Sequence, residues 1–127
     1  MAKRLLAALV ALYASGNGLA MLLDGPGWYA RVPGVVETGP YNAHFVADIG
    51  LAFITAGVAM ALRAWRPAYT VAALCGGLFL AGHALLHVAG WIDGHHAFAL
   101  IELFTILLPA ALALWCALPD PQRSRHA

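Results

Sequence analysis

Apolar residues are gathered into four long runs, Leu5 to Leu23, His44 to Leu62, Ala68 to Ala89 and Ala97 to Leu118, separated by polar or Gly/Pro-rich breaks. None of the runs alternates apolar and polar residues with period two, so half-buried strands are excluded. Each run has about the twenty residues needed to cross roughly 30 Å of hydrocarbon. Backbone groups find no water in lipid, and a segment of that length must satisfy them internally as a helix. The links at residues 63–67 and 90–96 are short enough to force neighbouring helices antiparallel. The pattern predicts an all-α integral membrane protein, a four-helix up-down bundle forming one domain over residues 1–127.

The longest break, Asp24 to Ala43, contains Gly25, Pro26, Gly27, Pro33, Gly34, Gly39 and Pro40, which rule out a spanning element there. It also holds Trp28, Tyr29, Val32, Val35 and Val36, too apolar a set for a free linker, and is expected to lie as a lid over the helix ends. Gly16, Gly18, Gly50, Gly57, Gly76, Gly77 and Gly82 should let the helices approach closely. Pro109 should bend the fourth helix, because it removes a backbone hydrogen bond and clashes with the preceding turn.

Composition strengthens this reading. The chain has 127 residues, 62% of them hydrophobic and 10% charged, and a globule of that size cannot hide so much apolar surface. Its partner is the lipid bilayer, and a net charge of +1 gives no reason to expect a nucleic acid. Lys3, Arg4, Arg63, Arg66, Arg123 and Arg125 fall on the side shared by the termini and the second link, with Arg31 alone opposite. That asymmetry predicts cytoplasmic N- and C-termini. Trp28, Tyr29 and Trp91 would form an outer aromatic belt, and Trp65, Tyr69 and Trp115 an inner one. The start Met-Ala-Lys-Arg also resembles a secretory signal, but the apolar run continues through Met21-Leu22-Leu23 without an Ala-x-Ala site, so the first helix should be retained. Cys75 and Cys116 read as small packing residues, with no disulfide expected.

The candidate chemistry is a set of polar residues in the outer third of the membrane. At a rise of about 1.5 Å per residue, Asn17 and His83 lie about 9 Å in, Glu102 about 7 Å, Asp48 about 6 Å and His87 about 3 Å, with His44, His95 and His96 at the boundary. His44 and Asp48 are i and i+4 on one helix, and His83 and His87 are i and i+4 on the next, so each pair shares a face. Charged groups at such depth cost roughly 3 kcal/mol each, which favours facing inward and pairing. Imidazole and carboxylate together form a ligand set for zinc, iron or copper, and bundles build metal sites from inward groups on facing helices. The expected metal ligands are His44, Asp48, His83, His87, His96 and Glu102, with Asn17 in a supporting hydrogen bond.

Other readings use the same residues. A histidine in an apolar helix is often a hydrogen-bonded packing residue, and His95 and His96 would serve equally as solvated headgroup contacts. Glu37 and Asp24 read as surface charge. His83 with His44 or His96 would ligate haem b axially, making a small electron carrier. A proton path is a third use, although the cluster is confined to one third of the membrane.

In length, helix count and topology the chain resembles small bacterial inner-membrane proteins of the DoxX-like kind, and Tyr41-Asn42-Ala43-His44-Phe45-Val46-Ala47-Asp48-Ile49-Gly50 has the look of a family signature. His83-Ala84-Leu85-Leu86-His87 and His95-His96 are similar to fragments of the histidine boxes of membrane desaturases and hydroxylases. Those enzymes use more histidines, on the cytoplasmic side, so their di-iron chemistry is not carried over. The functional expectation is a metal-binding membrane protein, acting as a metal-dependent oxidoreductase or as a non-catalytic haem or metal binder. So small a chain is expected to work as a homo-oligomer or as an accessory subunit of a larger membrane complex.

Overall fold

The computed structural model describes residues 1–119, and Arg123 and Arg125 lie outside the described residues. Four helices are long and apolar enough to cross a membrane: α1 (Ala2–Leu23), α3 (Ala43–Trp65), α4 (Thr70–Ile92) and α5 (Ala99–Ala117). The segment between the first two carries a short helix, α2 (Gly25–Arg31), and a 3-10 turn, Val35–Thr38, both far too short to span. Asp24 starts α2 by accepting from the Gly27 N–H at 3.0 Å, and Pro26 supplies a pre-set helical φ in the first turn. The Arg31 guanidinium, 2.8 Å away, and then the Gly27 N–H hold the Asp24 carboxyl below the usual carboxylate range. Asp24 is therefore a cap as well as a surface charge. Asn42 caps α3 in the same way, accepting from the Phe45 N–H at 3.0 Å.

Helix α1 packs along α3, α3 on α4, α4 on α5, and the C-terminal half of α5 returns to α1. The core they enclose is mostly alanine (Ala7, Ala11, Ala14, Ala56, Ala73, Ala110, Ala113), with Phe53, Met60 and Leu80 as its larger members. Big apolar residues such as Leu12, Val71, Leu85 and Phe104 point outward instead. This suits lipid, where an outward leucine costs nothing and helices associate through close van der Waals approach. The closest approach is between α1 and α3: a Cβ on Gly18 would lie 2.4 Å from the Gly50 carbonyl oxygen, and one on Gly57 would lie 2.8 Å from the Ser15 nitrogen. Gly16 and Gly82, expected at such contacts, have open space around them.

One end of the molecule is tied by basic residues. Arg4 donates to the Ala64 and Trp65 carbonyls, and Lys3 to those of Leu118 and Pro119. Arg63, read from sequence as a link residue, is 1% exposed. Its Nε donates to the Cys116 carbonyl at 2.8 Å, Nη1 to Pro67 at 2.9 Å and Nη2 to Leu118 at 3.4 Å. These cations meet carbonyls that α3 and α5 leave unpaired at their C-termini, where the helix dipole is negative. Cys116 is buried here with its Sγ 3.5 Å from the Lys3 carbonyl, whereas Cys75 is exposed rather than packed.

Pro109 acts through the ladder of α5. With no N–H on Pro109, the Thr105 carbonyl loses its α-helical donor. The stretch Leu103–Leu107 winds as a π-helix, and Tyr13 reaches across from α1 to donate its hydroxyl to the Thr105 carbonyl. Gly18→Val should lower stability by about 1 to 3 kcal/mol through overpacking. Gly16→Val should be close to neutral, and comparing the two unfolding midpoints in one detergent checks this.

Candidate functional site

At the end opposite the basic ties, the helices and the segment 24–43 surround a cavity of about 830 Å³. Met21 of α1, Phe45, Val46 and Ile49 of α3, and Leu86 of α4 form apolar walls. Trp28, Tyr29, Pro33 to Val35, Thr38 and Pro40 form a roof, as the lid expectation required. The roof is pinned at several points. Trp28 donates its indole N–H to Asn17 Oδ1 at 2.9 Å, Tyr29 its hydroxyl to the Gly39 carbonyl, and the Tyr29 and Tyr41 rings meet edge to face at 5.5 Å. Gly34, at φ +81°, turns the chain in the left-handed region and passes so close to Phe98 that a Cβ would lie 3.2 Å from its ring.

The polar end of the cavity comes from two helices. His83 and His87 lie one turn apart on α4, their ring centroids 4.9 Å apart, and His83 also meets the Phe53 ring edge to face at 5.3 Å. Glu102 projects from the first turn of α5, immediately before the π-helical stretch. His87 Nδ1 lies 3.1 Å from one Glu102 oxygen, with side-chain exposures of 28% and 16%. The other Glu102 oxygen accepts the indole N–H of Trp91. His95 and His96 sit exposed at the rim, His95 Nδ1 lying 3.2 Å from the Gly90 carbonyl oxygen.

Of the six expected ligands, His83, His87, His96 and Glu102 line this cavity, and His44 and Asp48 do not. They pair with each other at 3.4 Å on the outer side of α3, with side chains 90% and 57% exposed in the single chain. The reason is helical geometry. The inward face of α3 is set by Val46, Gly50, Phe53, Gly57 and Met60, and positions two residues from Val46 lie roughly 200° around the helix. Among the described residues, no three His, Cys, Asp or Glu side chains converge into a metal-holding group. Of the two haem pairings, only His83 with His96 uses two cavity-lining residues.

Two cavity-end residues have roles the sequence reading assigned elsewhere. Trp28 and Trp91, expected as lipid-facing belt residues, are half-buried, and their indole N–H groups are spent on Asn17 and Glu102. The signal for Trp91 was its spacing, since His83, His87 and Trp91 recur every fourth residue and form one stripe of α4. At the other end Trp65, Tyr69 and Trp115 are exposed as a belt requires, with Arg66 over the Trp65 ring at 4.4 Å and Lys3 over Trp115 at 5.4 Å.

Comparison with protein-family models, curated proteins and solved structures gives no match, so the site has to be interpreted from its own chemistry.

Proposed function

We propose that this chain is a multi-pass protein of a bacterial inner membrane, an up-down four-helix bundle with cytoplasmic termini, whose function is to bind a small organic molecule at the outer end. The observation that carries this reading is the roofed cavity, apolar along its helix walls and polar where His83, His87 and Glu102 meet. Its volume, about 830 Å³, lies within the roughly 300–1,000 Å³ typical of small-molecule sites and far exceeds what one ion needs. Largely apolar walls with a few convergent polar groups are the usual composition of such sites. The ligand would lay its apolar body against Ile49, Val46 and Leu86 and turn its polar head to His83, His87 and Glu102. The His44–Asp48 pair on the outer side of α3 suits cover by a second copy or a partner subunit. Ile49→Trp, which fills the apolar wall, should weaken uptake of the neutral probe 4-phenylbutanol at least tenfold, measured by calorimetry on protein in lipid nanodiscs. Equal uptake by wild type and variant would overturn the site.

A transition-metal centre is a second reading, favoured by one distance. His87 Nδ1 and the Glu102 oxygen are 3.1 Å apart, close to the edge of about 3.3 Å that a tetrahedral ion with bonds of about 2.0 Å requires. His87 and Glu102 would supply the first two ligands for zinc, iron or copper, His83 or His96 would have to move in to complete the set, and the ion would serve as Lewis acid or redox centre. Elemental analysis and an absorption spectrum of the purified protein test this. Stoichiometric metal lost in His83→Ala and kept in His44→Ala is the expected result. A Soret band would instead indicate haem b, and an absence of both after reconstitution would remove the metal reading.

A further inference from the structure

We propose that the ligand of the cavity is a lipophilic cation, a protonated amine carried on an apolar body. This rests on the reading of the cavity as an organic-ligand site and adds the chemical class. The first observation is charge. Two carboxylates, Glu37 and Glu102, line the cavity, and among the described residues no lysine or arginine does. Arg31, the basic residue of the roof segment, is engaged with Asp24 at 2.8 Å and is not a lining residue. Apart from its histidines, the ionisable groups of the lining are these carboxylates, at the mouth of an apolar space where Coulomb interactions are stronger than in water. An anionic head would meet repulsion there, a neutral head only apolar burial and a hydrogen bond, and a cationic head a charge partner.

The second observation is the state of Glu102. One of its oxygens lies 3.1 Å from His87 Nδ1 and the other accepts the Trp91 indole N–H, contacts that aim the carboxylate into the cavity. An ionised carboxylate has about four acceptor positions, so two remain for an ammonium without breaking either contact. Hydrogen bonds in which both partners are charged are the strong ones. The third observation is the wall. Trp28, Phe45 and Phe98 line the same space, and aromatic faces attract cations and bury the apolar body that follows.

The test uses three probes with one body, 4-phenylbutylamine, 4-phenylbutanol and 4-phenylbutanoate, titrated by calorimetry into full-length protein in zwitterionic nanodiscs, with empty discs subtracted. The amine should bind at least tenfold more tightly than the alcohol, and the carboxylate most weakly. In Glu102→Gln the amine should lose its advantage and bind no more tightly than the alcohol binds to the same variant, with a circular-dichroism spectrum and unfolding midpoint like those of wild type showing that the variant is folded. Alcohol binding equal to or tighter than amine binding in wild type overturns the cation proposal and leaves the organic site standing. An amine preference that survives Glu102→Gln overturns the assignment of Glu102 as the partner of the head. If none of the three binds, the organic-ligand reading falls with the proposal.

Discussion

A carboxylate on a helix long and apolar enough to cross a membrane has to be satisfied by its neighbours, and Glu102 is the group on which the cavity end of this molecule depends. Its oxygens take His87 from one side and Trp91 from the other, both from α4. Those contacts fix the register of α4 against the start of α5 and orient His87, whose ring in turn meets that of His83. The same pairing explains why a polar pocket exists at the edge of so apolar a chain. Leaving the groups apart in hydrocarbon would cost several kcal/mol, and a full apolar plug would leave them without partners.

The opposite end answers the same constraint with the opposite charge. There the unpaired groups are carbonyls at helix C-termini, and Arg63, Arg4 and Lys3 supply the donors. Between the two ends, Pro109 removes one backbone donor and Tyr13 replaces it at the Thr105 carbonyl. The core needs no large side chains because its helices touch backbone to backbone, most closely where Gly18 faces Gly50. Polar satisfaction at the ends and glycine contacts in the middle together account for a stable arrangement with an alanine-rich interior.

Helix number, type and extent were legible in the hydrophobic runs to within about three residues, the usual uncertainty of helix ends. The place of the roof was legible too, because Gly and Pro forbid spanning while Trp28 and the valines forbid solvation. The candidate site was legible in part. Depth along the helix follows from sequence position, and His83, His87, His96 and Glu102, which sequence position puts near one end, line one cavity. Rotation about the helix does not follow from depth. His44 and Asp48 share a face with each other, as i and i+4 residues must, but that face lies away from Val46 and Gly50, and only packing reveals which side is inside. Arg63 escaped for a related reason: a basic residue at a helix end looks like a solvated link until the C-terminus of another helix closes over it.

The Trp91 indole and the Glu102 carboxylate join α4 to α5 at the cavity end, and proton–nitrogen correlation spectra of isotope-labelled protein in nanodiscs read that contact. The Trp91 indole resonance, identified by its loss in Trp91→Phe, should be downfield-shifted and protected from exchange in wild type. It should move upfield and lose protection in Glu102→Gln while the Trp65 and Trp115 signals stay in place. A Trp91 resonance indifferent to Glu102→Gln would mean that the indole and the carboxylate are not joined and that the polar end of the cavity is held together by other contacts.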